Sequence, residues 1–357
     1  YRYTLTDLGR RRAQDAMKLC AYVGPAPVPI EDYVEQVYRQ AVTAIPPNPE
    51  ALRASFGHLV ISDSFFNAIG PAIVSGKSIF VYGPPGNGKT ATARAVGDFM
   101  NRNGGEIYVP YAFLAENDVI TVYDQAVHES SDDSVNDRLD DNEATIRRLL
   151  NSGTVDARWV RIHRPVIITG GELTLSMLDL RYNADANFYQ APLHVKANGG
   201  IFLIDDFGRQ LCSPKELLNR WIMPLEDRHD FLNVATGKKF QVPFEQLTIF
   251  STNLDPKHLV DDAFLRRMRH KVEINAPTRD VYEKIFNANV KRLGMNPCPA
   301  AIDYMYDRYY NKDRPPRASD CRDLLEIVQS VCRFRKQPVE LTRELLIEAA
   351  NTFITEF

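Results

Sequence analysis

Val81-Tyr82-Gly83-Pro84-Pro85-Gly86-Asn87-Gly88-Lys89-Thr90 reads G-x-x-x-x-G-K-T, and both flanks fit that spacing. Before it, Ser78-Ile79-Phe80-Val81-Tyr82 is a short apolar run ending at a glycine, the pattern of a buried parallel strand. After it, Ala91 to Met100 places apolar residues at helical spacing. Strand, glycine-rich turn and helix are the context in which such a turn binds phosphate. The glycines let the backbone curl so that its N–H groups face phosphate oxygens, and the helix adds its positive end. The expected phosphate-binding set is Gly83, Pro84, Pro85, Gly86, Asn87, Gly88, Lys89, Thr90 and Ala91. Lys89 would reach the outer phosphates, and the Thr90 hydroxyl would hold Mg²⁺.

The rest of the composition is that of an ordinary soluble globular protein. With 357 residues, two or three domains are expected. The apolar share is 44% and the charged share 25%, and the net charge of −3 makes no electrostatic case for a nucleic-acid or membrane surface. Cys20, Cys212, Cys298, Cys321 and Cys332 are scattered and lack C-x-x-C spacing, which favours a reducing, cytoplasmic setting without structural disulfides or zinc. No run approaches a membrane span in length. Tyr1 in place of an initiator Met reads as the start of a fragment, so a targeting signal could have preceded it.

Residues 1–45 read as a small N-terminal appendage. Tyr1–Leu5 can be a strand, and Thr6 can cap a helix over Asp7–Leu19. Tyr3-x-Leu5 with the following Gly9-Arg10 resembles a strand and helix of winged-helix domains; the alternative is a strand–helix extension packed on the main body. The Arg10-Arg11-Arg12 run reads as a solvated helix face rather than a DNA contact. Gly24 to Pro29 is a stiff connector, Ile30–Ala44 has helical spacing, and Ile45-Pro46-Pro47-Asn48-Pro49 marks a boundary. Another helix is expected around Ser62–Ala72. Farther on, Glu106–Val109 and Val119–Tyr123 read as two strands around a turn at Glu116-Asn117-Asp118. Glu129 to Glu143 holds seven acids and one Arg, a solvated loop without the glycine-punctuated spacing of a calcium site.

A second chemical landmark is Gly199-Gly200-Ile201-Phe202-Leu203-Ile204-Asp205-Asp206. A fully buried strand would place its first following acid at the carboxyl end, near the phosphate loop. Asp205 would then belong to the magnesium shell, and Asp206 would orient and polarise the attacking water. Before it, residues 172–182 suit a short helix, and Tyr182, Phe188 and Tyr189 fall in a polar loop.

From about residue 50 onward, this ordered set of motifs resembles an AAA+ ATPase. Gly83–Thr90 is similar to Walker A and Ile201–Asp206 to Walker B. The strand Thr248–Asn253 ends in Asn253, which matches sensor 1, and Ala263–Arg269 resembles the arginine-finger segment. Arg317, within Arg314-Pro315-Pro316-Arg317-Ala318-Ser319-Asp320 on a lid helix, matches sensor 2. Ala197–Gly200, Leu225–Arg228 and a hairpin around Thr236-Gly237-Lys238 resemble the branch holding MoxR-type chaperones and bacterial enhancer-binding activators. The resemblance implies an α/β P-loop domain with a central parallel sheet over residues 46–277, with an insertion at 105–163, and an all-helical lid over 278–357. It implies that ATP and Mg²⁺ bind, and that Lys89, Asp206, Asn253 and either Arg266 or Arg267 serve catalysis. Arg317 would touch phosphate from the lid.

The activity so implied is ATP hydrolysis by a homo-oligomeric ring, a hexamer, that remodels a macromolecular partner. The aromatics of 182–189 would either face its pore or pack against the body. Two departures bear on this. The second Walker B acid is Asp206 where the family has glutamate, and the segment Gly105–His163 is far longer than in most relatives. The shorter acid leaves open a nucleotide-gated binding scaffold that scarcely hydrolyses, and the winged-helix-like residues leave open a DNA-linked ATPase.

Overall fold

The computed structural model describes residues 4–131, 156–259, 262–311 and 314–353. Five short strands form the central sheet: β1 (Ile79–Tyr82), β2 (Val166–Thr169), β3 (Ile201–Ile204), β4 (Leu247–Thr252) and β5 (His270–Glu273). Their order is β5-β1-β4-β3-β2, and every pairing is parallel. Successive side chains of a strand point to opposite faces, and here the two faces differ in kind. Ile79, Val81, Ile201, Leu203 and Ile249 pack with Ile69, Val96 and Phe99 of the helices Asp63–Val74 and Lys89–Gly104. Phe80, Phe202, Ile204 and Phe250 pack on the other face with Phe207, Trp221 and Phe244. Both faces being covered, β1 and β3 read as continuous apolar runs rather than as alternations, whereas the edge strand β5, His270-Lys271-Val272-Glu273, does not.

Parallel pairing brings the carboxyl ends of the strands to one edge of the sheet. Ile249 pairs with Ile79 and Thr252 with Tyr82, so Asn253 leaves the sheet beside Gly83. Leu203 pairs with Ile249, so Asp205 leaves at the same edge.

Beyond residue 278 the chain is helical: Arg279–Arg292, Pro299–Arg308, Ala318–Phe334 and Arg343–Phe353. They bury Tyr282, Phe286, Val290, Leu324, Leu325, Val328 and Leu346 against one another. The helical character expected over 278–357 is present in the described residues; residues 354–357 lie outside them. The chain is thus an α/β protein with a central parallel sheet and an all-helical C-terminal region.

A third core joins distant stretches. Val28, Tyr33 and Val37 pack with Val109, Phe113, Ile120, Ile162, Tyr189 and Val242. Val28–Pro29 pairs in parallel with Phe113–Leu114, at the edge of a second sheet. Residues 28–39, on the N-terminal side of the Ile45–Pro49 break, therefore share a core with the long segment after the P-loop helix. Thr6 does cap the helix Asp7–Leu19, its Oγ1 accepting from the Gly9 N–H at 3.2 Å, and that helix buries no residue.

Several local expectations need correction. The turn at Glu116-Asn117 is present, both residues having positive φ, but it joins Ala112–Ala115 to Asp118–Thr121. Ile107–Pro110 pairs instead with Trp159–Ile162. The helix expected over 172–182 is a short 3-10 turn, Leu175–Leu178, followed by a strand, Arg181–Asn183. That strand and Phe188–Gln190 form an antiparallel hairpin, so the aromatics of 182–189 are not in a loose loop. Tyr189 is buried, its hydroxyl accepting from the Ala235 N–H at 2.8 Å, whereas Tyr182 is exposed. The helix from Ile30 ends at Arg39. Tyr1–Tyr3 and most of the acidic stretch, 132–143, lie outside the described residues.

Candidate functional site

The loop between β1 and the helix Lys89–Gly104 has three glycines in backbone conformations that other residues rarely adopt: φ is +136° at Gly83, +80° at Gly86 and +87° at Gly88. At Gly83 a Cβ would also meet the Ile274 carbonyl oxygen at 2.1 Å, whereas at Gly88 nothing lies within 4 Å, so there φ alone selects glycine. Gly88 is the N-cap residue of the helix, and no side chain caps it. The first amides of a helix have no partner within it, and here they open into the loop with the positive end of a 16-residue helix behind them.

Lys89 is buried, and its ammonium donates to the carbonyl oxygens of Gly83 (2.9 Å) and Pro84 (3.0 Å). Burial lowers its pKa, against the opposing pull of Asp205 and Asp206. A cation held by loop carbonyls, beside open helix amides, suits a polyanion such as a nucleotide triphosphate.

Across the loop, Thr90 Oγ1 donates to Asp205 Oδ2 at 2.6 Å. A hydroxyl and a carboxylate meeting at the loop are hard oxygen donors of the kind Mg²⁺ takes. Among the described residues no group of three or more His, Cys, Asp or Glu side chains is placed to hold a metal ion by itself. A magnesium ion held by one or two protein oxygens and completed by phosphates and water fits such a site. Asp206 has φ of +49°, and Asn253 Nδ2 donates to its Oδ1 at 2.7 Å. Gln210 was not singled out from the sequence. Its Nε2 donates to the carbonyl oxygens of Asp205 (2.9 Å) and Asp206 (3.2 Å), and its Oε1 accepts from Gly208, which fixes the turn carrying both acids. A glutamine just after Phe207-Gly208 in a turn was its only trace in the sequence.

The helical region reaches the same place. Arg317 is not on a helix as expected; it is the extended residue immediately before the helix Ala318–Phe334. Pro315 and Pro316 favour that extended approach. Its Cβ stands over the loop, 3.5 Å from where a Cβ on Gly86 would lie, and its side chain is exposed.

The remaining arginines are elsewhere. His270 pairs with Ile79 at the start of β5 and β1, so Arg266, Arg267 and Arg269 lie at the amino edge of the sheet. Four paired residues, roughly 10 Å of strand, separate that edge from Gly83. Arg267 Nε donates to Glu226 Oε1 at 2.7 Å, and Arg266 is exposed. With Lys77 and Arg269 they line a cleft of about 530 Å³. Lys89, Thr90, Asp205, Asp206, Asn253 and Arg317 therefore converge within one chain, and Arg266 and Arg267 do not join them.

Residues 278–352 match a family described as a domain of unknown function (DUF8689). No curated protein matches the chain. Among solved structures, the chain is similar to a point mutant of Thermotoga maritima RuvB, at 13% identity and a TM-score of 0.43 over 86% of this chain and 73% of that one. NtrX from Brucella abortus is 14% identical, with a TM-score of 0.47, covering 98% of this chain and 62% of its own. Domain III of the Thermotoga maritima replication initiation protein DnaA is 13% identical, with a TM-score of 0.43, covering 87% and 100%.

Proposed function

We propose that the chain is a Mg²⁺-dependent ATPase of the AAA+ type, with its nucleotide domain over residues 46–277 and its lid over 278–357. It works in the cytoplasm as a homo-oligomeric ring, a hexamer, that remodels a macromolecular partner. The observation that carries the reading is the convergence at one sheet edge of a glycine loop with its buried lysine, the Thr90–Asp205 pair and the Asp206–Asn253 pair.

Each residue has a task that its chemistry permits. The amides of Gly86 to Ala91 and the Lys89 ammonium bind the phosphates, and Lys89 exchanges its carbonyl partners for phosphate oxygens. Thr90 and Asp205 hold the metal. Magnesium bound there would supply positive charge beside the phosphates. Asp206 accepts a hydrogen bond from the attacking water and orients it, and the Asn253 amide fixes that carboxylate without adding charge. Arg317 meets the phosphates from the lid. Arg266 or Arg267 acts on the nucleotide of a neighbouring copy, because within one chain neither reaches the loop. Such fingers are worth roughly 10³–10⁵ in rate for related NTPases. The partner, the ring size and the choice of adenine over guanine rest on the family resemblance.

A nucleotide-gated scaffold is the second reading. Aspartate is one methylene shorter than glutamate, and Asp206 already has one oxygen engaged by Asn253. The experiment that separates the two is phosphate release with saturating MgATP, alongside MgATP affinity, for the wild type and Lys89→Met. The enzyme reading requires turnover that Lys89→Met abolishes together with tight binding. MgATP binding without turnover would favour the scaffold, and no binding at all would remove both.

A further inference from the structure

The helix Ala318–Phe334 starts without a cap of its own. Its N-cap residue is Arg317, whose side chain makes no capping hydrogen bond. Helix starts normally find acceptors for their first amides in a local Ser, Thr, Asp or Asn side chain. Here the acceptors come from the P-loop. Asn87 Oδ1 accepts from the Ala318 N–H at 3.0 Å, and the Gly86 carbonyl accepts from the Ser319 N–H at 2.8 Å. The approach is close enough that a Cβ on Gly86 would lie 2.5 Å from Ser319 Oγ.

The same helix start is gripped from the lid side. Asp320 is buried, with 4% exposure, and accepts from the Tyr310 hydroxyl at 3.0 Å. Tyr310 shares a second hydrogen bond, of 2.9 Å, with Tyr282 in the middle of the lid core. The Asp320 N–H returns to the Arg317 carbonyl at 3.2 Å. Residues 317–320 are thus rigid with respect to the lid, and two hydrogen bonds tie them to the loop.

The geometry points to Asn87 as a positioning residue that caps the lid helix from the P-loop and so sets where Arg317 stands over the phosphates. The cap is a property of the chain by itself; only the consequence for Arg317 rests on the ATPase reading. An amide suits the place. Its oxygen accepts from the helix, its nitrogen is 3.5 Å from the Pro84 carbonyl oxygen and donates to it, and it brings no negative charge to a site for phosphate. Alanine would keep the loop's backbone and lose the cap. Aspartate would keep the cap, and a carboxylate is favoured at a helix start.

The test is a distance measurement on the full chain without nucleotide. A fluorescent donor and acceptor are placed at exposed Asn67 in the α/β domain and exposed Ser330 in the lid. Asn87→Ala should shift the ratio of open to closed lid by about five-fold, the scale of one lost helix cap. Asn87→Asp should restore the wild-type distribution. In MgATP binding, the loss caused by Arg317→Ala should shrink in the Asn87→Ala background. An unchanged distribution in Asn87→Ala, or an opened one that Asn87→Asp fails to restore, would overturn the inference. A wild type that binds no MgATP would instead sink the ATPase reading and leave the distance result intact, so the two failures are distinguishable.

Discussion

Asp206 has to do two things at once. It sits in a left-handed backbone conformation that aspartate and asparagine tolerate better than most residues, and it carries the carboxylate nearest the site of hydrolysis in the proposed mechanism. Asp206→Ala is expected to lower MgATP turnover by about 100-fold or more while leaving MgATP affinity within a few-fold, checked by single-turnover kinetics beside equilibrium binding. A parallel loss of affinity would mean that Asp206 holds the metal rather than the water. At this scale the sequence was most legible where chemistry is local. G-x-x-x-x-G-K-T names its own residues because the loop is a contiguous piece of backbone. Gln210 and the Glu226 partner of Arg267 were not legible, because a lone Gln or Glu takes its meaning from what the fold brings beside it. The two candidate finger arginines now differ. Arg267 is tied to Glu226 and Arg266 is exposed, so Arg266→Ala should cost the larger loss of turnover, and equal losses would show that the ion pair does not matter.

Elements are joined by buried charge at several places among the described residues, and two carry predictions. Arg164 is buried and donates to the carbonyl oxygens of Gln40, Gly104, Gly105 and Gly199. It therefore closes the C-terminal end of the P-loop helix and binds it to the start of β3. Burial lowers its pKa to about 10, so it remains a cation at neutral pH. Arg164→Met leaves four carbonyls without this donor and is expected to destabilise the chain by at least about 3 kcal/mol, read as a fall in the denaturant midpoint. The second place is Asp230, at the base of the hairpin His229–Pro243, which receives both Arg220 nitrogens at 2.6 and 2.9 Å and has His194 Nε2 at 3.0 Å. Burial alone would raise its pKa, but His194 and Arg220 outweigh it and hold the carboxyl below its ordinary value. A carboxyl lowered on folding stabilises above its unfolded pKa, about 4, and that stability is lost as the pH falls through the folded value. Arg220→Leu should lower stability at pH 7 and flatten its acid dependence, and an unchanged slope would remove Asp230 from the account. Neither cluster could be read from sequence. Asp230 and Arg220 are ten residues apart, but His194 and the partners of Arg164 come from distant stretches. Strand identities were readable from apolar runs; the pairing of Ile107–Pro110 with Trp159–Ile162 was not, because 48 residues, half of them outside the described ones, lie between Pro110 and Trp159 in the chain.

For the whole molecule the sheet order is the deciding fact. With β5-β1-β4-β3-β2 and all strands parallel, the phosphate loop and the arginine cluster occupy opposite edges. A single copy thus holds the binding residues at one edge and the charge proposed to stabilise the transferring phosphoryl group at the other. The measurement that tests this most directly is MgATP turnover per subunit as a function of protein concentration, with Arg266→Ala and Asp206→Ala assayed alone and mixed. The account predicts a specific activity that rises with concentration and then saturates. It also predicts that mixing the two inactive variants restores part of the rate, since an intact Arg266 can face an intact Asp206 across a shared site. Specific activity that stays constant on dilution, with no recovery on mixing, would contradict it.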